Sequence, residues 1–184
     1  MISENQLNQA AESVINGGVI AYPTESVFGL GCDPFNKKAV YQLLQLKQRN
    51  VNQGLILIAS HVQQILPLIQ PIESNDLARA LKSWPGHHTW IFPKSKRVPS
   101  WISGQFDSIA VRVSNHSVVK QLCDKLNSPL VSTSANISKQ DDLVSIRDIK
   151  DVFGDKIDFY VNASTGTESN PSTIHDAHSN KIIR

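Results

Sequence analysis

Four groups of residues in this 184-residue chain have types and spacings suited to ligand chemistry. The first is Pro23-Thr24-Glu25-Ser26, a rigid turn with two hydroxyls and a carboxylate, placed where the apolar run Val19-Ile20-Ala21-Tyr22 stops. Ligands of α/β proteins gather at the carboxyl ends of strands, so this is a site candidate; a strand, a proline turn and a second short strand explain it equally well. Gly29 and Gly31, flanking Leu30, let backbone come close to a ligand or to a neighbouring strand. The second group is Lys47 and Arg49. They complement the dipole at a helix carboxyl end, or they clamp phosphate, the lysine as a point charge and the arginine as a bidentate fork.

The third is Arg112, inside the apolar run Ser108–Val113. A buried arginine needs a partner, which is either an internal carboxylate or the carboxylate of a ligand. The fourth is Ser132-Thr133-Ser134-Ala135-Asn136, small polar residues that suit a tight phosphate-binding loop and equally an ordinary turn. Two further features are weaker. His87 and His88 are adjacent, and neighbours on a strand point to opposite faces, which argues against a shared metal ion. The segment Lys94 to Gly104 carries Lys96 and Arg97 beside Trp101. It reads as an exposed solubilising loop, with RNA backbone binding and base stacking as the other reading.

These groups need elements to position them. A helix is expected from Ser3 to Asn16, with a Ser3/Gln6 capping box and Leu7, Ala11, Val14 and Ile15 on its apolar face. Asn36 caps a second helix that turns Val40, Leu43 and Leu44 inward and delivers Lys47 and Arg49 to a polar turn, Asn50 to Gly54. Leu55–Ala59 reads as a strand buried on both faces. Ser60–Leu66 and Ser74–Trp84 read as helices, the latter capped by Ser74 with Leu77, Leu81 and Trp84 inward. Trp84-Pro85-Gly86 is a stop and turn before a Thr89–Phe92 strand. A helix from His116-Ser117 (Val119, Leu122, Cys123 and Leu126 inward) and a strand at Pro129-Leu130-Val131 follow. A polar turn then starts at Asp141 and leads to a helix with Ile146, Ile149, Val152 and Phe153 inward. Short strands are expected at Phe159–Val161, from Pro171, and at Lys181–Arg184.

Composition bounds the rest. The length suits one domain spanning residues 1–184, and 40% hydrophobic with 18% charged residues is ordinary for a water-soluble chain. No apolar run reaches the roughly 20 residues a bilayer requires, and the amino terminus has no signal-peptide pattern, so a cytoplasmic protein is expected. Cys32 and Cys123 lack metal-ligand spacing and read as reduced, buried thiols. A net charge of +2 permits a nucleic-acid partner without demanding one.

Tyr22-Pro23-Thr24-Glu25-Ser26 running into Phe28-Gly29-Leu30-Gly31, then Lys47-Gln48-Arg49, Ser132-Thr133-Ser134-Ala135-Asn136 and Pro171-Ser172-Thr173-Ile174, resembles in order the motifs of the YrdC family of threonylcarbamoyl-AMP synthases. The resemblance covers essentially the whole chain and reads as the short form. It implies an α/β fold, a twisted mixed sheet with flanking helices around an open central cavity. The implied nucleotidyltransfer joins L-threonine, bicarbonate or CO2, and ATP into threonylcarbamoyl-AMP and pyrophosphate. A partner transferase then makes N6-threonylcarbamoyladenosine at position 37 of tRNAs reading ANN codons. By resemblance Lys47 and Arg49 are catalytic and bind ATP together with Thr89, Ser132, Ser134 and Asn136. Thr24, Arg112 and Ser172 hold threonine. Mg2+ arrives with the triphosphate, and no protein metal site is expected. The chain departs from the family pattern at His87-His88, where a proline is usual, and at Ser138-Lys139, where Ser-Gly is common. It also has no histidine in Gly54–Ile58, where long forms have one. Two other readings are a non-catalytic double-stranded-RNA-binding or ribosome-maturation factor, and a carbamoyl-adenylate enzyme of the hydrogenase-maturation type, whose accessory domains are not expected in a one-domain chain.

Overall fold

The apolar runs become the strands of a single sheet in the computed structural model, which describes residues 2–138, 143 and 145–184. Lys139 and the expected turn from Asp141 lie outside the described residues. In chain order the elements are α1 (Glu4–Ile15), β1 (Ile20–Pro23), β2 (Phe28–Gly31), α2 (Lys37–Leu46), β3 (Ile56–Ala59), α3 (Ser74–Ser83) and β4 (His88–Pro93). They continue with α4 (Ser100–Ser103), β5 (Ser108–Val113), α5 (Ser117–Leu126), β6 (Leu130–Ser134), α6 (Ile146–Phe153), β7 (Phe159–Tyr160) and β8 (Thr173–Asp176). The strand order is β7-β1-β2-β6-β3-β5-β4-β8. Parallel pairs (β1/β7, β3/β5, β4/β8) mix with antiparallel ones (β1/β2, β2/β6, β3/β6, β4/β5), so this is the mixed α/β sheet expected. One buried cluster under α2 and α3 and another between α1, α5 and the sheet fill the two faces.

Of the two glycines, Gly31 makes the anticipated close approach to neighbouring strands. A Cβ on Gly31 would lie 2.6 Å from the Tyr22 ring and 2.7 Å from the Val131 carbonyl oxygen. Only glycine lets the wholly buried Tyr22 cross β2 and donate its hydroxyl to Val131 at 3.3 Å.

Several local expectations are corrected. Ser3 caps α1 by accepting from the Gln6 N–H, but the Gln6 side chain accepts from the Asn162 N–H instead of closing the box. Ile15 is exposed, and Ala10 takes its place on the buried face. The Ser60–Leu66 helix is two 3-10 turns, Val62–Gln64 and Leu66–Leu68, that meet at Ile65; Pro67, inside the second, has no N–H to donate back to the first and continue a helix. Glu73 rather than Ser74 caps α3, in a capping box with Asp76; Ala80 faces inward and Leu81 outward. Val152 of α6 is likewise exposed. The serine-rich stretch begins as strand, since β6 runs through Ser134 to pair with Gly29. Lys181–Arg184 forms one isolated bridge, His175 to Ile182, in place of a strand.

Candidate functional site

A cavity of about 640 Å3 opens where β2, β3, β5 and β6 meet the segments at Arg49–Gly54 and Pro171–Ser172. Its polar wall contains Thr24, Ser26, Arg49, Arg112, Ser132, Ser134, Ser172 and Arg184; Ile102, Phe106 and Ile109 form part of an apolar wall. No Asp or Glu side chain lines it among the described residues. A chamber lined by three arginines and several hydroxyls, with Glu25 behind Arg112 as a counter-charge, is suited to an anionic ligand.

The amino-terminal wall is a turn. The Thr24 N–H and hydroxyl both donate to the Val27 carbonyl, at 3.1 and 2.7 Å. The 164–168 loop packs on it, with the Gly166 and Glu168 N–H groups donating to the carbonyls of Thr24 and Glu25.

Lys47 and Arg49 have separate fates. Asn36 and the α2 apolar face carry Lys47 under β6, where it is 2% exposed and outside the cavity lining. Its Nζ donates to the Ser134 carbonyl (2.5 Å), the Asn136 carbonyl (2.7 Å) and Asn136 Oδ1 (2.9 Å). Ser134 Oγ donates to the same Oδ1 at 2.8 Å. The ammonium thus holds the end of β6 in shape. Asn136 belongs to that anchor and also lies outside the lining, while Ser132 and Ser134 face the cavity. Arg49 does line it. One Nη2 hydrogen bond runs to the Gly54 carbonyl at 2.8 Å, and its buried Nε has no partner. Gly54 offers that carbonyl from a left-handed backbone, φ 66°. Burial draws the Arg49 pKa below its ordinary value, and a guanidinium keeps its charge at neutral pH.

Arg112 is paired internally and faces the cavity as well. Its Nη2 is 3.4 Å from Glu25 Oε2, its Nη1 is 3.4 Å from His87 Nδ1, and its Nε is buried without a partner. Glu25 Oε1 accepts from the Ser114 hydroxyl (2.6 Å) and the Asn115 N–H (3.1 Å). Burial alone would raise the Glu25 carboxyl; the Arg112 charge and these donated bonds outweigh it and hold the group below its ordinary value. Burial lowers the neighbouring His116, whose Nδ1 has no partner.

Ser172 reaches the cavity, but Thr89 does not. Thr89 is fully buried and shares a 2.9 Å hydroxyl–hydroxyl bond with Ser172, so it supports the serine from behind. The paired histidines diverge, His87 in the bend before β4 and His88 as its first residue. His87 turns to Arg112, and His88 Nδ1 meets His175 Nε2 at 3.1 Å. In the basic loop, the Trp101 indole donates to the Pro34 carbonyl and Lys94 to Ser103 and Phe106, leaving Lys96 and Arg97 exposed. Trp101 is half-buried, and Lys37 Nζ stands 5.6 Å from its ring centroid. Both thiols are buried; burial pushes Cys123 up to about 12 and raises Cys32 as well, which keeps them unreactive.

Glu25, His87 and Arg184 were not assigned from the sequence. The need of a buried arginine for a carboxylate could have pointed to Glu25. Nothing local marked Arg184, which lines the cavity with Nη2 3.5 Å from the Ser172 carbonyl.

The Sua5/YciO/YrdC family model, described as "Telomere recombination", matches residues 12–184. The chain belongs to this family. A threonylcarbamoyl-AMP synthase of Coxiella burnetii is 46% identical over 178 residues, 97% of this chain and 96% of that one. A crystal structure of P. abyssi Sua5 complexed with L-threonine superposes with a TM-score of 0.89 at 30% identity; the match covers 96% of this chain and 52% of Sua5, so the chain spans about half of that protein. E. coli YciO superposes at 0.83 with 26% identity, over 95% of this family member and 84% of YciO. Among the described residues, no helix is long and apolar enough to cross a membrane.

Proposed function

We propose that this chain is a threonylcarbamoyl-AMP synthase, a nucleotidyltransferase converting L-threonine, bicarbonate or CO2, and ATP into L-threonylcarbamoyladenylate and pyrophosphate. The observation that carries the reading is one cavity with two arginines, Arg49 and Arg112, on different elements, each with a buried Nε donor left unpartnered. Buried donors without partners cost free energy, which ligand acceptors would recover. The family membership and the threonylcarbamoyl-AMP synthase relative support the same reading.

Arg49, Ser132 and Ser134 are assigned to the triphosphate; Arg112, Thr24 and Ser172 to threonine, the arginine taking its carboxylate bidentately. Lys47, Asn136 and Thr89 act one layer back and keep those groups in position. Threonine's neutral amine adds to CO2, forming the N–C bond and, after loss of a proton, a carbamate. A carbamate oxygen attacks the α-phosphorus, and the bond to the bridging oxygen breaks to release pyrophosphate. No protein nucleophile is needed, so the residues supply position and charge. Among the described residues no Asp or Glu side chain lines the cavity to cage magnesium, so Mg2+ would come as part of the nucleotide substrate. The product would go to a transferase that modifies tRNA, which sets the enzyme in the cytoplasm.

The test is pyrophosphate release by the purified protein with ATP and Mg2+, omitting threonine and bicarbonate in turn, with mass-spectrometric detection of the adenylate. Release that requires both is expected. No release from folded protein under any combination contradicts the proposal.

A further inference from the structure

We infer that His87 is a positioning residue that ties the two halves of the threonine pocket together. The inference rests on the function proposed above. His87 Nε2 lies 2.8 Å from the Asn170 carbonyl oxygen, which can only accept, so Nε2 carries the proton. That leaves a lone pair on Nδ1, and Nδ1 faces Arg112 Nη1 at 3.4 Å. One neutral imidazole therefore accepts from the arginine assigned to the substrate carboxylate and donates to the loop two residues before Ser172.

The arrangement has a chemical logic. Arg112 has five N–H donors. His87 takes one on Nη1 and Glu25 lies against Nη2, bracketing the guanidinium on two sides, while Nε stays unpartnered. Glu25 already brings one negative charge to Arg112. A second carboxylate at position 87 would leave the arginine little attraction for a substrate anion. Histidine orients it without adding charge. Its second contact holds Asn170, and Thr89 holds the Ser172 hydroxyl, so the bend entering β4 aims Arg112 while the strand itself supports Ser172. His87 is outside the cavity lining and acts through these neighbours.

The test compares wild type with His87→Ala, His87→Asn and His87→Gln by steady-state pyrophosphate release, titrating threonine and ATP separately, with thermal melts to verify folding. For His87→Ala the threonine KM is expected to rise about tenfold, the value for one lost hydrogen bond and a loosened neighbour, with kcat and the ATP KM within about twofold. Asparagine restores an acceptor near the Nδ1 position and glutamine a donor near Nε2, so each is expected to recover part of the loss. A threonine KM for His87→Ala within about twofold of an active wild type overturns the inference, as does an equal rise in both KM values. Failure of wild type to release pyrophosphate with threonine overturns the underlying function instead, and the two failures are distinct.

Discussion

Lys47 and Arg49 sit two residues apart at the end of one helix with the same charge, and the fold gives them opposite surroundings. Lys47 is sealed beneath β6 with its ammonium bound to two carbonyls and an amide oxygen. Arg49 stands on the cavity wall with one carbonyl partner and an idle Nε. A Lys-x-Arg clamp with both cations on phosphate was one reading of the sequence; the geometry sets Lys47 beneath β6 and Arg49 on the cavity wall, and the division proposed above makes the first an anchor and the second the ligand's cation. The two differ in how far their hydrogen-bonding capacity is already used within the fold.

Substitutions can break that contrast. Arg49→Ala is expected to lower kcat/KM for ATP by about a hundredfold, the scale of a lost charge-assisted contact, while the melting temperature stays within about 2 °C. A drop of many degrees would make Arg49 another anchor. Lys47→Ala removes three hydrogen bonds from beneath the end of β6 and is expected to cost about 3 kcal/mol, lowering the melting temperature by roughly 6–12 °C, with activity falling alongside. An unchanged melt would return Lys47 to a ligand-binding role.

Smaller effects sharpen the picture around β6 and Arg112. Gly31→Ala forces a methyl against the Tyr22 ring and the Val131 carbonyl and is expected to cost about 1–3 kcal/mol in chemical denaturation. Equal stability would mean that Tyr22 moves easily. The Glu25 pair gives the mildest signal. Because its folded pKa is depressed, its stabilisation is complete above the ordinary value of 4.5 and is lost as pH falls through the lower folded value. Between about pH 5 and about pH 3 wild type should lose more melting temperature than Glu25→Gln. Identical acid profiles would remove the ion pair from the account.

Much of the fold was legible because it rests on local rules. The Ser108–Val113 run reads directly as β5, and Asn36 caps α2 as its type and position require. Local rules also explain the errors. Ile15, Leu81 and Val152 satisfy helical periodicity, but each lies at the edge of its apolar stripe, where the tilt of the helix on the sheet decides exposure. At the site, Arg49, Arg112, Ser132, Ser134, Thr24 and Ser172 converge on one cavity as their motifs suggested. Lys47, Asn136 and Thr89 stand behind it. That depth is set by contacts across 83 to 89 residues of chain, which no short motif encodes.

The central claim is that the two arginines address different substrates. The most direct measurement is pyrophosphate release titrated separately with ATP and with threonine in Arg49→Ala and Arg112→Ala. The account predicts a raised ATP KM in the first with threonine's little changed, and a raised threonine KM in the second with ATP's little changed. Equal rises in both constants for either variant would contradict it.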